Sequence, residues 1–592
     1  LKPVTKSPLG FLAVSKAYDA AHEYQKSCLL KLKALYGKEL QEQKGFHVVL
    51  LGRPYTALSK TMNKGILDIF ASLGIRVYYQ DMLTYSDQDT APIQKRLAQI
   101  HWHYAALILQ AAQVVATCER AYPVMITSFR CSPDAFVMDY FKEIMEVHHK
   151  PYLILQLDEH ESNVGYETRI EAAIRSFRNH NATGTEKKPG VYTPTVFSEK
   201  EKGLLGKTLI IPNWDNITLQ FLVASLRREG IDARLMEESH TTIQKSLRYN
   251  TGQCIPLNIV AQEFVEYVRT HHLDPEKTLL WMVSSQISCN IGLFPHHLER
   301  LFRTYGKGME KAGVYVGGMS FMDISLKLPI NTYFAYMFGG FVRKMGCRIR
   351  PYEKKKGETE RVQKKSVSIL MDAFSGKRSK EGALAEVISA FEAIDIVSGR
   401  KPKVAIFGDL YVRDNDVMNQ DLIRFIENHN GEVIVTPYSA YVQMIVKPYL
   451  KKWFLEGNYM DMISTKALLS TVTRLEKRYL SYFERILGPT PIYHESPEKI
   501  LAEYNVRIEH TGESMDNLLK IFYTKKHYPD VALFVQTSPA FCCPSLVTEA
   551  MAGEIEKKTG VPIVSITYDG TSARSNETII PYLANLKGLD KK

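Results

Sequence analysis

Five cysteines stand in short turn-like motifs: Cys131 in SFRCSPD, Cys254 in NTGQCIPLN, Cys289 in ISCNIGLFP, and the adjacent Cys542 and Cys543 in PAFCCPSL. Each is followed closely by Pro or Gly, or falls where a strand-like run gives way to a helical one. That placement presents thiols on rigid turns at the ends of sheets. A thiolate there can attack a substrate or ligate a soft metal such as zinc, copper(I) or an iron–sulfur cluster. The paired CxxC spacing of zinc knuckles and ferredoxins is absent. Ligands this scattered favour a cluster held in a cleft between domains, with Cys131, Cys254, Cys289, Cys542 and Cys543 as the candidate metal-binding residues.

Other chemistries account for less. Cys131 with Asp134 and His160 could form an activated nucleophile, but this uses one cysteine and leaves the other motifs idle. Cys28, Cys118 and Cys347 read as small buried hydrophobes. There is no GxGxxG, and GLLGKT at 203–208 has two residues between its glycines where a phosphate loop has four. It also precedes its strand, so no nucleotide site is expected in this chain.

The elements that must position these thiols alternate. HVVLLGRP, RVYYQD, PVMITSF and PYLILQLD read as strands separated by helical stretches. A second series starts at TLIIPNW and runs through IDARLME, TLLWMVSS and VYVGGMS. A third comprises KVAIFGDL, EVIVTPY, VALFVQTS and PIVSITYDG. The expected fold is α/β: three successive βαβ, Rossmann-like units with parallel sheets and helical linkers. The boundaries read as a helical lead-in over 1–45, α/β domains over 46–185, 186–352 and 403–592, and a charged helical linker over 353–402.

Composition bounds the function. With 592 residues, 45% hydrophobic and 23% charged, the chain builds full cores. The net charge of +11 owes much to runs such as RPYEKKKGETERVQKK. Acidic residues interrupt that run and, beyond Tyr352 near its start, no stacking aromatics are interleaved, so a solvated linker is expected and a nucleic-acid partner is not. No apolar run approaches a membrane span. Eight cysteines are too few for a disulfide-stapled secreted scaffold, and a reducing cytoplasm fits them better.

Two stretches carry a family resemblance. GRPYTALSKTMNKGILDIFASLGIRV, ITSFRCSPDAFVMDYFKEIM and KPYLILQLDEHESNVGYETRIEAAI resemble the acyl-CoA dehydratase activase-related region of large multidomain proteins. From Gly206 onward, GQCIPLN, SCNIGLFP, RPYE, GDLYVRDNDVMNQDLIRFIE and FCCPSLVTEAM are similar to the cluster-bearing subunits of the 2-hydroxyacyl-CoA dehydratase and benzoyl-CoA reductase family, the double-cubane cluster proteins above all. The likeness covers nearly all of residues 46–575.

The resemblance implies an oxygen-sensitive oxidoreductase whose iron–sulfur cluster, [4Fe–4S] or an [8Fe–9S] double cubane, is bound by these thiolates. A double cubane asks for more thiolates than the four or five defensible here, so Cys118 or Cys347 would have to complete its set. Low-potential electrons would arrive from an ATP-hydrolysing activator with its own [4Fe–4S] cluster, on a separate chain or fused upstream. A start at Leu1 rather than Met agrees with the fused arrangement.

A small-molecule substrate and a homodimer are further expectations. The amides of Ser132, Ile255 and Asn290 would hydrogen-bond sulfur, and His160, Glu159, Asp158 or Arg169 would supply protons. The runners-up are a [4Fe–4S] (R)-2-hydroxyacyl-CoA dehydratase-type component and a non-enzymatic metal-binding or scaffold protein.

Overall fold

The computed structural model describes residues 8–42, 45–128, 131–158, 163–183, 203–204, 206–283, 287–322, 324–325, 327–491, 493, 495–508, 512–571 and 573–586. Among them, twelve strands form three sheets of four, every pairing parallel. The expected α/β architecture of successive parallel units is what the chain adopts. The strands are short, rich in Val, Ile and Leu and covered on both faces; HVVLLG over His47–Gly52 is buried throughout. Continuous apolar runs of this kind belong to parallel sheets sheathed by helices.

Two compact units result, Leu1–Val196 and Phe197–Lys592. The first opens with helix α1 (Pro8–Glu42), exposed over most of its length. It is tied down near its end by buried Tyr36, whose hydroxyl meets His47 Nε2 at 2.8 Å. There follow β1 (His47–Gly52), β2 (Val77–Tyr79), α2 (His103–Thr117), β3 (Ala121–Ser128), α3 (Ser132–Val147), β4 (Leu153–Leu157) and α4 (Asn163–Thr183). The sheet order is β2-β1-β3-β4, with Val48 opposite both Val77 and Tyr122.

The second unit holds two such sheets. The first contains β5 (Thr208–Ile211), β6 (Asp232–Leu235), β7 (Thr278–Val283) and β8 (Gly313–Gly317). Its helices are α5 (Thr218–Arg228), α6 (Ile255–Thr270) and α7 (Phe294–Tyr305). Then come α8 (Leu328–Ile349), α9 (Glu358–Phe374) and α10 (Lys380–Glu392). The last sheet is made of β9 (Lys403–Gly408), β10 (Glu432–Ile434), β11 (Val531–Pro539) and β12 (Ile563–Tyr568). Helices α11 (Tyr438–Leu455), α12 (Tyr459–Leu487), α13 (Glu513–His527) and α14 (Cys543–Ala550) lie among its strands in the chain. The orders are β6-β5-β7-β8 and β10-β9-β11-β12, so all three sheets share one topology.

The charged stretch over 353–402 is not a solvated linker. Its helices α9 and α10 bury Val362, Leu370, Phe374, Leu384, Ile388 and Phe391 in one core with Phe221, Phe338 and Phe483. The Phe221 and Phe374 rings stack at 5.2 Å. The lysines and glutamates occupy the outer face of amphipathic helices, as a 3.6-residue period allows. The other expected linker, 178–195, ends α4 and then passes outside the described residues.

Helix α8 runs through the middle of the second unit and owes its fit to two glycines. A Cβ at Gly339 would overlap Thr218 at the start of α5, and one at Gly340 would lie 2.6 Å from Pro437 Cβ. Helix α12 packs on α8 around Glu476, which accepts from Tyr333 Oη at 3.1 Å and Gln443 Nε2 at 2.6 Å. Burial pushes that carboxyl up to about 7, against the two hydrogen bonds that favour its charge.

The folded state therefore binds a proton that the unfolded state gives up near the ordinary carboxylate pKa. Stability from this group is complete below that pKa and is lost as pH rises through 7, by roughly 3 kcal/mol in all. Glu476→Gln is expected to flatten the decline in thermal midpoint between pH 5 and pH 8. An unchanged pH profile in the variant would show that Glu476 stays ionised.

Candidate metal centre

In a sheet of order 2-1-3-4 the first and third strands lie side by side, and the segments leaving their carboxyl ends open a crevice where α/β proteins bind ligands. Each of the three sheets places a cysteine there, after its third strand: Cys131 after β3, Cys289 after β7 and Cys542 after β11. Cys254 begins α6, the crossover helix from β6 to β7. All four are helix N-cap residues.

Three of them read Cys-x-Pro, at 131–133, 254–256 and 542–544. Proline belongs in a first turn because the amide it lacks has no helical partner there. The strand beside each crevice ends alike in two sheets. A Cβ at Gly52 would come 2.6 Å from the Ile126 carbonyl oxygen, and one at Gly408, with φ +124°, would fall on the Thr537 carbonyl oxygen. Only glycine lets the chain turn out of the sheet so close to its neighbour.

Within the second unit the thiols converge. The α6 start is fixed to the β11 exit by the Ile255 amide, which donates to the Ala540 carbonyl at 3.4 Å. Phe541, with φ +67°, takes the left-handed conformation that turns the chain into Cys542. The Cys254 and Cys542 thiols interact directly, and that contact, with burial, raises the Cys254 thiol well above the ordinary range. Burial also raises Cys289, with further repulsion from Cys543 and Cys542. Cys542 is buried and the other three are half-buried. Cys289 thus lies within the electrostatic reach of Cys254, Cys542 and Cys543.

Carboxyls share the crevice. Asp409 follows Gly408 and accepts from the amides of Tyr411 at 3.0 Å and Val412 at 2.9 Å. Glu513 opens α13 immediately after Gly512, where a Cβ would sit 3.4 Å from the backbone of Ser288, next to Cys289. Ligand atoms of Asp409, Glu513 and Cys542 all lie within 4.8 Å of one another. Burial raises both carboxyls, and the neighbouring Asp409 and Cys542 raise Glu513 further.

One face of α13 continues inward through Asp516 and Lys520, each 1% exposed. Asp516 accepts from Tyr441 Oη at 2.5 Å, and burial pushes it up to about 7. The Lys520 ammonium lies 4.6 Å over the Tyr441 ring, and burial brings it down to about 8.

The two sheets that supply the crevice are held together by Arg343 of α8. It donates to Asp215 Oδ1 at 2.8 Å beyond β5, and to the Asp414 carbonyl at 3.2 Å and Asp416 Oδ1 at 3.4 Å beyond β9.

The remaining candidates have other settings. Cys131 lies in the first unit, against Arg53 and Asp134. Asp134 accepts from Arg53 Nε at 2.7 Å and Thr127 Oγ1 at 2.9 Å. With Asp134 so occupied and the thiol pushed up to about 11 by burial, an activated nucleophile is not what this cysteine resembles. Arg169 is exposed and donates to the Ile154 carbonyl at 2.5 Å, bracing α4 on β4. Glu159 and His160 lie outside the described residues, and Asp158 is exposed.

Of the three cysteines expected as fillers, Cys347 is fully buried but Cys28 and Cys118 are half-exposed, on the solvent-facing α1 and at the end of α2. The amides nearest sulfur are also not all the expected ones. Ile255 is engaged by Ala540, while the amides of Asp134 and Ile291 face Cys131 and Cys289 without closing a capping hydrogen bond.

Asp409, Glu513, Asp516 and Lys520 were not among the expected site residues. A charged residue one step past a strand-ending glycine, and charges spaced three and four apart in ESMDNLLK, were the available signals.

Among the described residues no helix is long and apolar enough to cross a membrane. Residues 10–83, which comprise most of α1, β1 and β2, match the family described as the CoA enzyme activase uncharacterised domain. The start of the chain is thus activase-related. Among curated proteins no match to the chain is found.

Proposed function

We propose that the second unit holds an iron–sulfur cluster on Cys254, Cys289, Cys542 and Cys543. In this reading the protein accepts low-potential electrons from an ATP-hydrolysing activator with its own [4Fe–4S] cluster and reduces a small substrate. What supports this is that Cys254 interacts with Cys542 and that Cys289 lies within the electrostatic reach of Cys254, Cys542 and Cys543, thiols from three separate stretches of sequence. Soft sulfur donors in that number suit a [4Fe–4S] cluster, and the donor set fits the group. The activase-related start of the chain supports a partner of the activator class.

The cluster, when bound, would supply one-electron storage. The chain's own residues then have definite tasks. Cys254, Cys289, Cys542 and Cys543 would give up their protons to hold the iron. The Asp409 and Glu513 carboxyls lie within 4.8 Å of Cys542 Sγ, where a reduced substrate would need a proton donor, and burial raises both. Asp516 and Lys520, brought to about 7 and about 8, lie on the same α13 face as Glu513 and are suited to resupply them near neutral pH.

Iron and sulfide analysis of protein purified without oxygen, followed by turnover assays with an ATP-driven donor on acetylene, azide and hydrazine, tests both halves. A colourless, iron-free protein would favour the scaffold reading. An iron-loaded protein that forms enoyl products from hydroxyacyl-CoA esters would favour the dehydratase.

A further inference from the structure

Beside the thiol crevice lies a second concentration of polar atoms that the cluster reading does not use. Asn213 Oδ1, Glu238 Oε1, both carboxylate oxygens of Glu263 and the Tyr411 hydroxyl are buried without a hydrogen-bond partner. They come from four elements: Asn213 follows β5, Glu238 follows β6, Glu263 lies on α6 and Tyr411 follows β9. Asn415 joins the first two, its Nδ2 facing Glu238 Oε2 and the Asn213 carbonyl. Glu238 adds to the cost of ionising Glu263, and both act on Tyr411, so the side chains lie within one another's field. Glu263 is 2% exposed. Its helical neighbour Glu266 pairs with Lys245 at 2.8 Å, and no ion pair reaches Glu263 or Glu238 among the described residues.

A buried carboxylate without a donor is among the costliest groups a core can hold, and native proteins satisfy such groups with a proton, water or an ion. This set is almost wholly acceptor: two carboxylates, an amide oxygen and a hydroxyl. Its hardness excludes the soft metals that thiols select. Its two charges match a divalent ion, and its irregular spread over four elements suits calcium's flexible shell better than magnesium's strict octahedron.

We propose that Asn213, Glu238, Glu263 and Tyr411 form a calcium-class cation site, separate from the thiols, that pins the ends of β5, β6 and β9 to α6. Because Cys254 is the N-cap of that helix, the ion would fix the thiol's position from behind.

The test is calorimetric titration of the full-length protein, freed of divalent ions by EGTA, with calcium and with magnesium, alongside thermal unfolding with and without each ion. Saturable calcium binding at one site, tighter than magnesium, with a raised unfolding temperature is expected. Glu263→Gln should weaken calcium binding by at least about tenfold while iron content stays at the wild-type level, which separates this site from the cluster. No heat and no thermal shift with either ion in the wild-type protein would overturn the proposal. So would a Glu263→Gln variant at least as stable as wild type at pH 8 with no calcium response in either protein, since the pair would then be two protonated acids. If the variant fails to fold, the wild-type titrations decide alone.

Discussion

Replacing Cys542 by serine is expected to remove essentially all iron from protein prepared without oxygen while leaving the α/β fold intact. Cys542 is the sulfur that meets Cys254, adds to the field at Cys289 and lies within 4.8 Å of both Asp409 and Glu513. A serine hydroxyl is a hard, weakly acidic ligand in a place that selects for soft thiolate. Cys254→Ser and Cys289→Ser should act alike, and Cys28→Ser, on the exposed α1, should retain full iron. Iron and sulfide per chain and the visible absorption of each variant are the measurements. Wild-type iron in Cys542→Ser would remove the ligand from the account.

Arg343→Met should cost the fold about 3–5 kcal/mol, the usual penalty for breaking a buried pair from one side. The guanidinium is buried, holds Asp215 at 2.8 Å and Asp416 at 3.4 Å, and also lies 3.9 Å from Asp414. Without it three carboxylates face one another where the exits of β5 and β9 meet. Asp414 keeps Arg413, but among the described residues no second arginine forms an ion pair with Asp215 or Asp416. Arg343→Lys should rescue only part of the loss, because an ammonium cannot reproduce the planar fork that spans two acids. Urea unfolding measures the stability. Iron loading should fall with it, since Asp409 and Cys542 belong to the sheet this arginine docks. A stability change within about 0.5 kcal/mol, the size of an ordinary surface substitution, would mean the network carries no weight.

The strands were legible because β-branched runs such as KVAIFGDL and VALFVQTS can hardly be anything else between helical stretches. Their order within each sheet was not, since it depends on pairing across long stretches of chain, as between Ala405 and Phe534. The thiols announced themselves by residue type. Asp409, Glu513 and Lys520 did not, because a lone charge in a sequence reads as surface, and only the packing of α13 over the crevice shows that this face points inward. Helices α9 and α10 misled for a related reason. Dense lysine and glutamate masked the spacing of Val362, Ser366, Leu370 and Phe374 that carries their buried face.

The most direct test is an anomalous-scattering map collected at the iron edge on crystals grown without oxygen. The account predicts strong iron density bounded by the sulfurs of Cys254, Cys289 and Cys542, with Asp409 and Glu513 at its margin. Crystals of intact protein with no iron signal in that crevice, or with only zinc there, would contradict it.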